Sequence, residues 1–253
     1  EVLVLRSDML RAAGDMDGAG PGPLPAAGLT DVFVAKFDGA TGKQLSMQVY
    51  GSATRSESVI DMAYDKVANR LVVLLNSGNT LGSGLSPDVI AVPLSTGIPA
   101  KLWSFIEDGQ NKNPTGITVD SAGEIYIHGR SQWAISGALS TTGTGGGGMY
   151  LYRVSSAGKT VWVQHWGSPA FDLSGGVAVD DLGQVYVTGY AQGVAEGTVT
   201  GTKYLGSNGS GWGYGGDLVV AAFTTAGAPK WIAQYGSAGG DTGNGIAYIG
   251  GKS

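Results

Sequence analysis

The side chains of this chain that could do chemistry are few, and their spacing assembles no catalytic set. The 253 residues include two histidines and no cysteine, which excludes disulfides, thiolate zinc sites and cysteine nucleophiles. His128 and His165 fall at non-matching positions, so neither a Ser/His/Asp arrangement nor a paired-histidine metal site follows from the spacing. We therefore predict that both histidines are structural or surface residues, with no catalytic residue, no metal ligand and no cofactor.

Three aspartates recur at the start of similar apolar runs, namely Asp31, Asp88 and Asp217, while Met149 takes the place of the fourth. One interpretation is a ring of carboxylates that holds a cation. The other is that each carboxylate accepts backbone N–H groups of the preceding loop. We favour the second, because a turn residue recurs wherever chain geometry repeats.

Aromatic side chains in Gly-rich stretches are the candidates for ligand binding. Trp133, Tyr204, Trp212 and Tyr214 do not recur along the chain, and the last two lie within Gly-Ser-Gly-Trp-Gly-Tyr-Gly-Gly, residues 209–216. Such rings could stack on sugars or anchor a protein partner. The alternative is that they fold back and cover the face of the fold from which these loops emerge.

Trp103, Trp162 and Trp231 recur at one place in the strand pattern instead. Aromatic residues repeated at a fixed strand position are typical of packing between sheets, so we predict that these three are buried.

The elements that must position these residues are clearest in residues 149–189. The stretch predicts four short strands, 149–154, 161–166, 175–179 and 185–188, here called a, b, c and d. Ser155-Ser156-Ala157-Gly158 and Asp180-Asp181-Leu182-Gly183 predict the turns between a and b and between c and d.

The same pattern recurs through the chain and divides it into four units: 31–87, 88–148, 149–216, and 217–253 joined to 1–30. The last unit stops after its strand c, near residue 248, and residues 1–5 supply an apolar strand d, with 6–30 as a loop. Four-stranded units in series predict an all-β fold, a single β-propeller domain over 1–253 with the N-terminal strand completing the last blade. The a strands are expected to be innermost.

The repeated pattern resembles the SBBP-type β-propeller repeat. The resemblance rests on an Asp-initiated apolar strand, on Trp followed by Gln-Tyr-Gly-Ser (231 and 234–237), and on Gly-Val-Ala-Val-Asp through Val-Tyr-Val-Thr-Gly (176–189). Units 1 and 2 depart from it, with Ser46 in place of the Trp and Ile106-Glu-Asp-Gly in place of aromatic-Gly-Ser. The resemblance implies a propeller that is usually exported and implies no particular catalytic activity.

The composition and charge of the chain restrict the kinds of partner and the location that we expect. The net charge is −5 and no basic patch is present, which argues against a nucleic-acid partner, and no apolar run reaches the ~18 residues of a membrane span. Few charges, abundant Gly and the resemblance favour a secreted or cell-surface protein, for which Asn208-Gly209-Ser210 is a glycosylation sequon. The chain starts at Glu1 without a recognisable signal peptide, so we expect a processed or truncated product.

Length variation is concentrated in the d–a connections, residues 76–87, 129–148, 189–216 and 6–30, of 12, 20, 28 and 25 residues. In a propeller these connections emerge on one face, together with the b–c connections, and insertions on one face indicate a partner-binding face. We expect a non-enzymatic extracellular structural or interaction module, such as a subunit of a cell-surface or filamentous assembly that binds a protein or like subunits. The alternatives are a glycan-binding, lectin-like propeller and, without support from the a strands, a propeller enzyme with an axial site.

Overall fold

A computed structural model describes residues 2–6, 9–16, 30–51, 55–79, 85–105, 112–139, 147–195, 216–237 and 239–250. The chain divides into two compact units, Glu1–Gln110 and Asn111–Ser253, and each is treated by itself. The described residues form strands and turns without any helix, so no helix among them could cross a membrane.

The first unit holds two four-stranded antiparallel sheets. One contains β1 (Val2–Arg6), β2 (Met9–Met16), β3 (Asp31–Asp38) and β4 (Gln44–Tyr50), and the other contains β5 (Arg55–Asp65), β6 (Arg70–Asn79), β7 (Leu85–Pro93) and β8 (Ala100–Ser104). Aliphatic side chains of β3, β6 and β7 form the core of this unit, among them Val32, Leu71, Val73 and Ile90.

The second unit repeats the arrangement. One sheet contains β9 (Lys112–Val119), β10 (Ile125–Ser131), β11 (Gly148–Val154) and β12 (Thr160–Trp166), and the other contains β13 (Asp172–Val179), β14 (Val185–Ala191), β15 (Asp217–Phe223) and β16 (Pro229–Tyr235). The sheets pack face to face around Leu151, Trp166, Val187 and Phe223, and β13 contacts β9, β10 and β11. The predicted all-β fold of four antiparallel four-stranded sheets is confirmed.

The starting point of the repeat is corrected. Each sheet takes strands c and d of one predicted unit and strands a and b of the next, so β13 and β14 from unit 149–216 pair with β15 and β16 from unit 217–253. The long d–a connection therefore stays within a sheet, and the short b–c connection leads to the next one. A tandem repeat can be divided at any strand with the same period, so periodicity alone could not fix this point.

The prediction for the N-terminus is wrong. Residues 1–5 do not complete the sheet of β15 and β16, because β1 pairs with β2 with Val2 opposite Ala12. Strand β2 lies within the predicted loop 6–30, where Ala12-Ala13-Gly14 takes the place of Val-Thr-Gly in strand d. The strand predicted near residues 245–248 does not form either, since the described residues 239–250 belong to no strand.

The a strands lie inside their sheets rather than at the innermost edge. Strands β11 and β15 have a hydrogen-bonded neighbour on each side, as do the d strands β10 and β14. All four are almost wholly buried. Hydrogen bonding on both sides and packing on both faces explain their near-continuous apolar sequences.

The predicted c–d turns are confirmed. Asp180 Oδ1 accepts the N–H groups of Leu182 at 2.9 Å and Gln184 at 2.8 Å, and Asp180 Oδ2 accepts the Tyr186 hydroxyl at 3.1 Å. Gly183 has φ +79°, which a side chain rarely tolerates. Asp120 makes the corresponding bonds in the preceding sheet, so one carboxylate organises each of these turns.

Burial of the repeated tryptophans is confirmed for Trp103 and Trp162 and is wrong for Trp231, which is only partly buried. Trp162 lies under the β15–β16 turn of the neighbouring sheet, and its Nε1–H donates to Thr225 O at 3.0 Å. Trp231 makes a tilted ring contact with Tyr186, with 6.2 Å between the ring centroids. Trp162 is therefore buried because a turn of the neighbouring sheet covers it.

Candidate binding site at the loop edge of the second unit

Trp133 lies at the edge where β10 and β14 end and β13 begins, here called the loop edge and defined as residues 130–133, 168–172 and 192–194. Its side chain is 58% exposed. The buried Ser131 hydroxyl donates to Trp133 O at 2.7 Å and fixes the backbone at this point. Trp133 is thus held outward directly after a rigid strand.

The other predicted ligand-binding residues, Tyr204, Trp212 and Tyr214, lie outside the described residues, as does the sequon residue Asn208. Their roles stay predictions.

Arg130 precedes Trp133 by three residues, and its side chain lies against the residues that lead into β13. Its guanidinium carbon lies 4.3 Å from the centroid of the Phe171 ring, within the range of a cation–π contact. Burial lowers the pKa of Arg130, and the nearby Asp172 charge opposes that shift. Arg130 therefore joins the end of β10 to the beginning of β13.

Asp172 is the most perturbed group of the loop edge. Its Oδ2 accepts the Ser168 N–H at 2.8 Å, and the Ser168 hydroxyl lies 2.8 Å from its Oδ1. Burial raises the pKa of Asp172 to about 8, although the bonds to Ser168 and the Arg130 charge favour the ionised form. The carboxyl group is therefore mostly protonated at neutral pH.

Ser168 completes a small network behind the surface. Its Oγ accepts the N–H groups of Ala170 and Gly193, each at 3.2 Å, and both Ser168 and Asp172 are fully buried. The hydroxyl is thus held by three partners and has no access to solvent, so it is poorly placed to act as a nucleophile.

Both histidines are fully buried. His128 Nδ1 lies 2.7 Å from Tyr150 O and its Nε2 lies 3.2 Å from Thr188 O, so the ring joins β11 to β14. Burial lowers the pKa of His128 to about 4. Burial, with the Lys112 charge, lowers the pKa of His165 to about 4 as well.

The aspartates at the start of the a strands are buried. Asp88 pairs with the Ser104 hydroxyl and with Lys101 Nζ at 3.3 Å, and Asp217 Oδ2 accepts Gln234 Nε2 at 3.3 Å. Within the described ranges, no three His, Asp or Glu side chains come close enough to hold a metal ion.

Glycine directly after strand b makes room for these carboxylates. A Cβ at Gly236 would collide with Asp217 Oδ1, and a Cβ at Gly51 would collide with Asp31 Oδ1. The glycine of the recurring Tyr-Gly-Ser is thus required because a side chain there would collide with the aspartate. The sequence alone shows this motif only as a repeat.

A second signal missed in the sequence is the spacing Gly-Ser-x3-Asp. It occurs at Gly167–Asp172 and again at 236–241, where the Ser237 N–H and hydroxyl lie 2.6 and 2.9 Å from Asp241 Oδ2. In both places the serine and the aspartate are hydrogen-bonded to each other across the connection that follows strand b. We call each such pair a serine–aspartate clasp.

No protein-family model and no curated protein matches the chain. Among solved structures, a Hadza microbial sialidase aligns with a TM-score of 0.52 and 9% identity, covering 92% of this chain and 45% of its own. A hydrazine synthase from Kuenenia stuttgartiensis aligns less well, with a TM-score of 0.38 and 10% identity over 81% of this chain and 62% of its own. A calcium-binding regucalcin from Agrobacterium tumefaciens has a TM-score of 0.32 and 12% identity over 92% of this chain and 78% of its own.

The likeness to the sialidase concerns the fold alone, a propeller-like array of antiparallel sheets. This chain spans less than half of the length of that protein. The resemblance to the SBBP-type repeat stays a prediction.

Proposed function

We propose that this protein is a non-enzymatic interaction module of the β-propeller type that binds its partner at the loop edge. One observation carries the proposal. The groups there that could do chemistry are buried and bonded to one another, whereas the side chains that face solvent include Trp133 and Val194.

Catalysis at this edge would need an accessible acid, base or nucleophile. Asp172, Ser168 and His165 are fully buried. Asp172 and Ser168 are also saturated with internal bonds, which stabilise the connection into β13. The loop edge therefore suits contact with a partner better than turnover of a substrate.

The partner that fits best is another protein or a like subunit. Interface cores are rich in Trp and Arg and poor in other charged residues, and Trp is a frequent source of binding energy. The loop edge has this character, since it contains the exposed Trp133 and the half-buried Arg130. An extracellular location, in a surface or filamentous assembly, is supported by the low charge, the abundant Gly and the resemblance to an exported repeat family.

A glycan is the second candidate partner. It is favoured by one feature, the exposed indole ring on a backbone that Ser131 holds in place. A flat ring presented in this way could stack on a sugar.

Photo-crosslinking tests the proposal. Benzoylphenylalanine is placed at position 133 and, as a matched control, at Leu182, which is 90% exposed in the turn at the other end of β13. With secreted proteins of the native source, we expect one discrete adduct from position 133 and none from position 182. Adducts of equal yield from both positions would contradict the proposal.

Trp133→Ala gives the energetic arm of the same test. We expect binding to weaken by on the order of 2 kcal/mol with the Tm unchanged, because the side chain is exposed. A glycan array decides between the candidates: a signal that Trp133→Ala abolishes favours the glycan. If neither protein nor glycan binds, the proposed function is wrong.

A further inference from the structure

Arg130, at the loop edge, differs from Arg70 and Arg153 in its partners. Arg70 Nε lies 2.9 Å from Asp65 Oδ2. Arg153 Nε lies 3.0 Å from Glu124 Oε2. Among the residues that the structure describes, none accepts a hydrogen bond from the Arg130 guanidinium, and its Nε is buried without a partner. Its positive charge is therefore not paired with a carboxylate in the way that the other two are.

The guanidinium of Arg130 is nevertheless held in place. Strand β10 is paired on both sides, with Arg130 opposite Met149 and Asn113. The guanidinium carbon lies 4.3 Å from the centroid of the Phe171 ring. A Cβ at Gly147 would lie 3.2 Å from Arg130 Nη2, so the Gly147 backbone borders this end of the group. A side chain that is already held in this way loses little conformational entropy when it binds a ligand.

Asp172 is the one carboxyl group of the loop edge, and it does not neutralise Arg130. Its two oxygens are bonded to the N–H and the hydroxyl of Ser168. Burial raises the pKa of Asp172 to about 8, so the group is mostly protonated at neutral pH. Burial also lowers the pKa of Arg130, which reflects the cost of holding its charge away from water. A half-buried cation without a counter-charge favours the binding of an anion.

We propose that the Arg130 guanidinium is a binding site for a carboxylate of the partner protein, namely the side chain of an aspartate or a glutamate. The inference rests on the proposed function, since it names the chemistry that the partner presents at the loop edge. A carboxylate fits because two parallel N–H···O bonds can join it to the planar guanidinium. Because Nε is shielded from solvent, we expect Nη1 and Nη2 to donate these bonds.

A carboxylate also fits better than a phosphate group. A carboxylate carries one negative charge, which one arginine neutralises, whereas a phosphate group carries up to about two at neutral pH. Asp172 is the only other charged or titratable residue among 130–133, 168–172 and 192–194, and it supplies no second cation.

Trp133 and Arg130 can contact the same partner. Three residues separate them along the chain, so their Cα atoms lie no more than about 11 Å apart. An interface of ordinary size buries about 800 Å² on each side and would cover both. Trp133 would supply apolar contact area, and Arg130 would select for an acidic residue.

The first arm of the experiment uses small carboxylates and needs no partner. The full chain, labelled with nitrogen-15, is titrated with sodium acetate and with glutamate capped at both ends, and the Arg130 Nε–H resonance is followed. We expect a saturable shift with a Kd on the order of 10–100 mM for both. Capped glutamine and sodium chloride at the same ionic strength should produce no saturable shift.

Matched variants locate the effect. In the wild-type chain the backbone N–H resonances of Ser131 and Gly147 should follow the same acetate titration, and Arg130→Gln should abolish their response. Lys159→Gln removes one positive charge from an exposed position at the other end of β11 and should keep the response.

The second arm uses the protein that benzoylphenylalanine at position 133 captures. Arg130→Gln should weaken its binding at least about tenfold. Arg130→Lys keeps the charge but not the planar fork, so it should lose less affinity than Arg130→Gln. Lys159→Gln should bind as the wild-type chain does.

The outcomes separate this inference from the proposed function. Equal affinity of the Arg130→Gln and wild-type chains for the captured protein would overturn the inference and leave the proposed function standing. An unsaturated acetate titration at about ten times the expected Kd would overturn it as well. If sodium glucuronate binds at least about tenfold more tightly than capped glutamate, the source of the carboxylate is an acidic glycan and not a protein. A saturable acetate shift without any adduct at position 133 would instead refute the proposed function, while the carboxylate site stands.

Discussion

Two connections of the second unit, 167–172 and 236–241, have the same spacing and nearly the same hydrogen bonds in opposite surroundings. Ser168 and Asp172 are fully buried, whereas Ser237 and Asp241 remain accessible. The first leads into β13, which pairs with β14, and the second leads into 244–250, which pairs with no described strand. The local sequence thus determines the clasp, while burial depends on the strand and sheet that follow.

Trp162 and Trp231, at the same position of strand b in neighbouring sheets, also differ in burial. Trp162 is 8% exposed because the β15–β16 turn covers it, with Arg153 and Trp162 both donating to Thr225 O. Trp231, at the same position of the next sheet, lacks that cover among the described residues and stays partly exposed. Residues at equivalent positions of the repeated sheets therefore contribute differently to the free energy of unfolding.

The largest expected difference is between these tryptophans. Trp162→Ala should lower the free energy of unfolding by about 3–5 kcal/mol, since it removes a buried ring and leaves a cavity. Trp231→Ala should cost less than about half of that, because part of the ring already contacts water. Denaturant unfolding of both variants measures the difference, and equal losses would mean that the cover over Trp162 is energetically irrelevant.

The next effect is a pH dependence confined to the buried clasp. The pKa of Asp172 is about 8 in the folded protein, because burial disfavours its charge, against about 4 in the unfolded chain. Between these two pH values the folded state binds one more proton than the unfolded state. The contribution of Asp172 to the free energy of unfolding is therefore complete below about pH 4 and is lost as the pH rises through about 8. We expect the free energy of unfolding to fall by about 2 kcal/mol between pH 6 and pH 8.

Asp172→Asn supplies the control for that slope. Asn keeps an acceptor for the Ser168 N–H and a donor for the Ser168 hydroxyl, but it carries no titratable proton. The variant should lose most of the slope, whereas Asp241→Asn leaves Asp172 in place and should keep it. A slope that survives Asp172→Asn would place its origin in another group.

The smallest difference concerns the serines. Ser168→Ala leaves the partly buried Ala170 and Gly193 N–H groups without their acceptor and should cost about 1–2 kcal/mol. Ser237→Ala exposes its partners to water instead and should cost less than about 0.5 kcal/mol. Thermal unfolding of the pair checks this, and the comparison fails if Ser237→Ala is the more harmful change.

The sequence predicted the strands and turns well, since alternation and the Asp-x-x-Gly turns are local signals that Asp120 and Asp180 obey in the structure. It could not tell where a sheet begins, because strand pairing across the long d–a loops is a long-range property. For the same reason the sequence predicts a loop where β2 forms. Ala12-Ala13-Gly14 has weak strand propensity, and it forms a strand because it pairs with β1 and β3.

The exposure of Trp133 was predicted, while its role in binding stays a prediction. Trp133 stands outward after β10, as a non-repeating aromatic residue of a connection should. The network of Arg130, Ser168 and Asp172 behind it was not anticipated, because it joins the end of one sheet to the beginning of the next. Only the spacing of Gly167-Ser168 and Asp172, repeated at 236–241, could have revealed it.

Amide hydrogen exchange of the free chain tests most directly whether strand pairing, rather than local sequence, sets the stability of two like segments. The Ala178 N–H faces β14, so its exchange requires opening of the sheet, whereas the corresponding Ala247 is exposed and belongs to no strand. We predict that Ala178 exchanges at least ~1,000-fold more slowly than Ala247, as expected between a core strand and an unpaired edge. Comparable slow exchange at both positions would contradict the account, because residues 244–250 would then already be paired.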